Sequence, residues 1–87
     1  MRAVKLFAFH CLDGEHSPRL REAFLQRHLD HVEAHIDRYA VAGPLEDDDR
    51  TLGSLLIIRA RDVAEARDFF ETDPYFDAGV WQAIRVS

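Results

Sequence analysis

The sequence has little of several features, and each shortage excludes a class of protein. Its one cysteine, Cys11, allows neither an internal disulfide nor a zinc site built from several cysteines. It has no basic excess, because the net charge is −5, whereas a nucleic-acid surface needs a basic patch. No apolar run approaches the roughly 20 residues of a membrane span, and the first residues show no signal-peptide pattern. We therefore expect a cytoplasmic protein without a nucleic-acid or membrane partner.

Apolar residues, in contrast, are plentiful. They make up 47% of the 87 residues, which are expected to form one domain over residues 1–87. A domain this short buries only a modest share of its surface. The remaining apolar surface is most simply covered by a second subunit, so we expect a homodimer.

Four segments have the pattern of β-strands, at residues 4–11, 39–45, 52–60 and 80–86. In the first, Cys11 is expected to be a buried thiol, with His10 on the opposite face. The third is apolar on both faces, as a central strand would be. In the last, Trp81 is expected on one face, with Val80, Ile84 and Val86 on the other.

Ser17 and Pro18 predict the beginning of a first helix, which should run to about Asp37. Its apolar stripe, at spacings of four, three and four, consists of Leu25, Leu29, Val32 and Ile36.

A capping box at Asp62 and Glu65 predicts a second helix, which Asp73-Pro74 should end. A short connection at residues 75–79 follows. The expected buried stripe of this helix is Val63, Ala66, Phe69 and Phe70.

The order βαββαβ favours a four-stranded antiparallel sheet with both helices on one face, an α+β ferredoxin-like fold. The first and third strands should lie in the centre. The open sheet face should carry large side chains such as Phe7, Phe9 or Leu55. Two such faces are expected to pack together in the homodimer, giving a dimeric α/β barrel.

Three histidines of the first helix are the candidates for chemistry. His28, His31 and His35 fall on one strip at the margin of the apolar face, with His28 and His35 nearest the core. They have three possible interpretations. They are rim residues without a role, or His31 and His35 bind a metal as an i, i+4 pair, or His28 is a general base oriented by a carboxylate. No third metal ligand is evident, so no metal and no cofactor are expected.

The best candidate for that carboxylate is Asp73, which lies at a helix end. Its position before Pro74 also fits a simple helix cap. The two interpretations of Asp73 both remain open at this point.

A set of short motifs resembles the YciI-like (YCII-related) family. The motifs are His28-Leu29, Ala42-Gly43-Pro44-Leu45, Gly53-Ser54, Asp73-Pro74-Tyr75 and Ala78-Gly79-Val80. The resemblance implies a ferredoxin-like fold that dimerises as an α/β barrel. It also implies an active-site dyad that matches His28 and Asp73. One branch of the family acts as a dehydrochlorinase on a chlorinated hydroquinone.

The sequence departs from the family just before the histidine. Relatives often carry an arginine and a proline there, whereas this chain has Leu25-Gln26-Arg27. Arg19, Arg21 and Arg27 are possible substitutes for the missing arginine.

Two functions are consistent with these residues. The first is a cofactor-independent lyase or isomerase that acts on a small aromatic or keto/enol metabolite, with His28 and Asp73 as acid–base residues. The alternative is a non-catalytic dimeric domain that binds a small ligand or has an accessory role. The pocket is expected to be lined by Gly43, Pro44, Ser54 and Tyr75, although Ser54 also fits a plain polar residue at the start of a strand.

Overall fold

The computed structural model describes residues 3–87. A short 3-10 turn, Ile36–Arg38, joins the first helix to the second strand. The other elements are β1 Lys5–Asp13, α1 Ser17–Ala34, β2 Tyr39–Asp47, β3 Arg50–Ala60, α2 Val63–Phe70, α3 Pro74–Ala78 and β4 Trp81–Val86. Among residues 3–87, no helix combines the length and the apolar character needed to cross a bilayer.

The four strands form one antiparallel sheet in the order β2-β3-β1-β4. β1 and β3 lie in the centre, and the predicted α+β ferredoxin-like fold is confirmed. The short helix α3 takes the place of the predicted connection at residues 75–79. It begins directly after Asp73 because Pro74 is well suited to the first turn of a helix.

The core lies between the sheet and the helices. Phe9 of β1 is fully buried, pairs with Leu56 of β3 and stacks on Phe70 of α2 at 4.3 Å between ring centroids. The expectation that Phe9 lies on the open sheet face is therefore wrong. Because side chains alternate along a strand, Phe7 lies on the same side as Phe9 and packs against the core. Leu55 lies on the open face, beside His10.

The acidic segment between β2 and β3 is a tight turn. Asp47 pairs with Arg50, so only Asp48 and Asp49 lie outside the strands. Asp48 has φ = 52°, a left-handed conformation that aspartate tolerates better than most side chains. Both strands consequently extend further than their apolar residues predict.

Helix α1 presents a different face to the core from the one predicted. Leu25 and Leu29 are 47% and 48% exposed, whereas Phe24 packs against the core and His28 is largely buried. Around Phe24 and His28 the observed stripe lies one position earlier in the sequence, a rotation of about 100° around the helix, whereas Val32 of the predicted stripe does pack against the core. A histidine can occupy this inner face because a buried partner satisfies its ring nitrogen.

Both ends of α1 also differ from expectation. The cap residue is His16, and Ser17 is the first helical residue. The buried Ser17 hydroxyl accepts a hydrogen bond from the Gly14 N–H and donates one to the carbonyl of Val80. The helix ends at Ala34 rather than at Asp37.

Two predictions about side-chain direction fail in the second half of the chain. The register of β1 with β4 shifts between Leu12 and Asp13, and Trp81 therefore faces the helices, as Ile84 and Val86 do. Val63 is 48% exposed, so it does not belong to the buried stripe of α2. The Asp62 cap is confirmed, because its side chain accepts a hydrogen bond from the Glu65 N–H at 2.8 Å.

Candidate functional site

His28 of α1 and Asp73 before α3 lie in direct contact, although 45 positions separate them. The Nδ1 atom of His28 is 2.9 Å from Oδ1 and 3.0 Å from Oδ2 of Asp73. The imidazole is 13% exposed and the carboxylate is 1% exposed. A buried carboxylate needs partners for its charge, and the ring N–H is one of them.

Asp73 also caps the short helix α3. Its Oδ1 accepts a hydrogen bond from the Tyr75 N–H at 2.8 Å. The two interpretations of Asp73 are thus compatible, since one carboxylate contacts both the helix N-terminus and His28. The cap holds the carboxylate in position beneath the ring.

The imidazole of His28 stacks on the ring of Tyr75, with centroids 4.0 Å apart and planes 3° from parallel. Because an ionised carboxylate only accepts hydrogen bonds, Nδ1 carries the proton in this contact. The neutral ring then has its lone pair on Nε2. Nε2 has no hydrogen-bond partner among the described residues, which leaves it free for a ligand.

His28 lines a cleft of about 170 Å³ between α1 and the sheet. The four predicted pocket residues, Gly43, Pro44, Ser54 and Tyr75, all line the same cleft. The remaining wall is apolar apart from Arg21 and consists of Leu25, Leu29, Val32, Ala42 and Leu56. A wider depression of about 600 Å³ adjoins it at Arg21 and has no histidine in its wall.

Arg21 provides the cationic group of the cleft. Its guanidinium binds Asp13 through two contacts, Nε to Oδ2 at 2.6 Å and Nη2 to Oδ1 at 2.9 Å. Nη2 also donates a hydrogen bond to the Ser54 hydroxyl at 2.9 Å. Of the three arginines considered as substitutes, Arg21 lines the cleft, and Arg19 and Arg27 do not.

Tyr75 connects the histidine to this arginine. Its hydroxyl donates a hydrogen bond to the Arg21 carbonyl at 3.3 Å, and the Arg21 guanidinium lies 5.4 Å from its ring centroid. Burial raises the pKa of Tyr75 above its usual value. The phenol therefore remains protonated at neutral pH and does not compete with His28 as a base.

His31 and His35 lie together but outside the cleft. Their rings are 4.6 Å apart and both contact Phe69, while His31 Nε2 is 3.3 Å from the Thr72 hydroxyl. His35 is exposed and His31 half-buried, which reverses the predicted order. Within residues 3–87, no group of three or more His, Cys, Asp or Glu side chains is arranged to hold a metal ion.

Cys11 is a buried thiol, as its strand position predicts. Burial raises its pKa to about 12, so the nucleophilic thiolate is scarce at neutral pH. His10 belongs to the opposite face of the strand.

Several residues of the site were missed from the sequence. No functional role is predicted for Asp13 from the sequence, and Trp81, whose Nε1 donates to the Ser54 hydroxyl at 3.1 Å, is predicted on the wrong face of its strand. Leu25 and Leu29 were expected in the core, yet they form a wall of the cleft. One signal in the sequence indicates the pair of Asp13 and Arg21: an aspartate at the end of a strand is followed closely by an arginine in the first turns of a helix.

Comparison with known proteins gives a family and a structural relative. No curated protein matches the sequence. The solved structure of 5-chloro-2-hydroxyhydroquinone dehydrochlorinase from Burkholderia phenoliruptrix, in complex with 2,5-dihydroxybenzoquinone, is 30% identical and has a TM-score of 0.83. The match covers 95% of this chain and 91% of that one. The family model of the YCII-related domain matches residues 5–87, and the chain therefore belongs to the YCII-related family.

Proposed function

We propose that the protein is a small lyase or isomerase that needs no cofactor and uses His28 as a general base oriented by Asp73. The observation that carries the proposal is the 2.9 Å contact between His28 Nδ1 and Asp73 at the wall of an open cleft. Positioned acid–base catalysis of this kind accelerates a reaction by roughly 10²–10⁴-fold.

The hydrogen bond to Asp73 determines which atom of His28 reacts. The carboxylate accepts from Nδ1, so Nε2 takes a proton from a carbon or hydroxyl next to a carbonyl group of the substrate. The imidazolium that forms is stabilised by the buried carboxylate beside it. Return of the proton to another atom of the substrate completes an isomerisation.

The cleft favours a substrate with a single ring. An apolar cavity of about 150 Å³ is large enough for benzene, and this cleft measures about 170 Å³. The structural relative is named a dehydrochlorinase and holds a dihydroxybenzoquinone. On a chlorinated hydroxyhydroquinone, His28 would move a hydroxyl proton to the chlorinated carbon, and loss of a second hydroxyl proton would then expel chloride from that carbon and leave a hydroxyquinone. The net change is loss of HCl, without an oxidant.

The proposed assembly is a homodimer formed by the open faces of two sheets. Leu6, Leu12 and Val41 are 58%, 45% and 44% exposed on the strands of this sheet. Leu55 and Ile57 of the central strand β3 are half-buried on the same face. An exposed apolar surface of this kind is typical of a subunit interface.

The proposal is tested with His28→Asn, which keeps a donor for Asp73 and removes the base. We expect turnover of a chlorinated hydroxyhydroquinone, measured as chloride release, to fall by roughly 10²–10⁴-fold. Asp73→Asn should give a similar loss. Its amide oxygen can still cap α3, while its NH2 group donates to Nδ1. The ring proton then lies on Nε2, which no longer has a lone pair to act as the base. His35→Gln, an exposed change on the same segment, is the matched control and should retain full turnover.

A non-catalytic ligand-binding role is the alternative, because most of the cleft wall is apolar and His28 can serve there as a hydrogen-bonding group alone. It predicts that 2,5-dihydroxybenzoquinone raises the melting temperature while no member of a substrate panel is consumed. Unchanged turnover in His28→Asn would exclude the proposed role of the histidine.

A further inference from the structure

The hydroxyl of Ser54 has an unusual set of hydrogen bonds. Ser54 is 3% exposed, and its oxygen accepts from Arg21 Nη2 at 2.9 Å and from Trp81 Nε1 at 3.1 Å. The N–H groups of arginine and tryptophan are donors only, so the oxygen is the acceptor in both contacts. Both of its lone pairs are thereby used.

The hydrogen of the same hydroxyl has no acceptor among residues 3–87. A buried donor without a partner is costly, and native structures rarely contain one unless a ligand or water completes it. Ser54 lines the cleft that His28 also lines, and the cleft is where an acceptor can bind. A ligand in this cleft can supply the acceptor that the hydroxyl lacks.

The surroundings of Ser54 strengthen this donor. Hydrogen bonds polarise one another in series, so the two N–H groups make the Ser54 O–H more acidic. Arg21 carries a charge, and Asp13 holds it through two contacts with side chains that are 15% and 7% exposed. Because Asp13 largely offsets the charge of Arg21, the site suits an oxygen with partial negative charge better than a multiply charged anion.

We propose that the Ser54 hydroxyl donates a hydrogen bond to the carbonyl oxygen of the substrate, with Arg21, Trp81 and Asp13 as its positioning residues. The proposal deepens the proposed function and rests on it. When His28 takes the proton, the electron pair of the broken bond moves onto that carbonyl oxygen, which becomes an enolate. The substrates are accordingly single-ring hydroxyketones and hydroxyquinones, together with hydroxyhydroquinones, which gain a carbonyl in the keto form that follows protonation of a ring carbon.

The test uses the intact protein with 2,5-dihydroxybenzoquinone as probe. Ser54→Ala should weaken binding of the probe by about 10-fold, and turnover should fall by roughly 10²-fold. Ser54→Thr keeps the hydroxyl and should recover most of both. The carbonyl stretch of the bound probe, measured by isotope-edited infrared spectroscopy, should shift to higher frequency in Ser54→Ala, which a merely structural role would not cause.

The outcomes separate the two proposals. If Ser54→Ala folds, binds the probe as tightly as wild type and leaves the carbonyl stretch unchanged, the donor role is wrong, although His28 can still be the base. If Ser54→Ala shifts the stretch and weakens binding while His28→Asn has full turnover, the donor role holds and the proposed base is wrong. If Ser54→Ala unfolds, Ser54→Cys replaces it, because the thiol fills the same space and is only a weak donor. An unshifted stretch in Ser54→Cys would overturn the proposal.

Discussion

At the scale of single residues, the site depends on pairs of side chains that satisfy each other. Asp73 is buried because the Tyr75 N–H and the His28 ring both donate to it. Ser54, in contrast, holds a donor that no described side chain accepts. The first arrangement stabilises the protein, and the second leaves a binding group available.

His31 provides a prediction about pH. Burial lowers its pKa below the usual 6.5, with smaller lowering contributions from His35 and His28 and an opposing one from Asp73. As the pH falls from about 6.5 towards the lowered value, the unfolded chain binds more protons at this residue than the folded protein does. The contribution of His31 to stability is therefore complete above pH 6.5 and decreases below it.

When the pH is lowered from 7.5 to 5, the free energy of unfolding, measured in urea, should thus decrease less in His31→Gln than in wild type. His35→Gln, which changes an exposed ring, should resemble wild type more closely. Identical slopes in wild type and His31→Gln would contradict the expectation.

At the scale of elements, the close packing of β1 against β3 leaves no room for a side chain at Gly53, whereas Gly43 has room for one. A Cβ atom at Gly53 would lie 1.9 Å from the carbonyl oxygen of Cys11, which is backbone and cannot turn aside. A Cβ atom at Gly43 would meet nothing within 4 Å. Gly53 directly precedes Ser54, so the close approach of the strands also positions the donor in the cleft.

We expect Gly53→Ala to lower the free energy of unfolding by about 1–3 kcal/mol or more, because the strands must separate. In a domain of this size, each kcal/mol corresponds to about 4–8 °C in melting temperature. Gly43→Ala, the matched control, should change stability little. Equal melting temperatures for the two variants would show that the strands adjust without cost.

At the scale of the whole molecule, the helices cover one face of the sheet and leave the other open, with exposed apolar side chains such as Leu6, Leu12 and Val41. The open face includes Ile57, which lies on a central strand between Ala8 and Val41. A monomer would expose this surface to water, which costs about 25 cal/mol per Å² of apolar area. A second copy of the chain offers an identical surface to cover it.

Ile57→Lys should therefore shift the protein from dimer to monomer, since it would bury an unpaired charge in the proposed interface. Light scattering or sedimentation at micromolar concentration measures the change. Val63→Lys makes the same kind of substitution on α2, where Val63 is 48% exposed, and should not alter the mass. A wild-type particle of 10.0 kDa would refute the dimer.

Local patterns in the sequence determined the order of the elements and the central position of β1 and β3. They also identified the Asp62 cap and four residues that line the cleft, Gly43, Pro44, Ser54 and Tyr75. These features follow from periodicity, turn chemistry and short motifs, which act over a few neighbouring residues.

Tertiary packing decided the rest. It determined that Phe24 rather than Leu25 of α1 faces the core and that Trp81 faces the helices at a register shift. It brought Arg21 beside Asp13 and Ser54. It also placed His28 against Asp73, 45 positions away. Contacts between distant residues depend on how whole elements pack, and a polar residue on a buried helix face cannot be recognised until its partner is known.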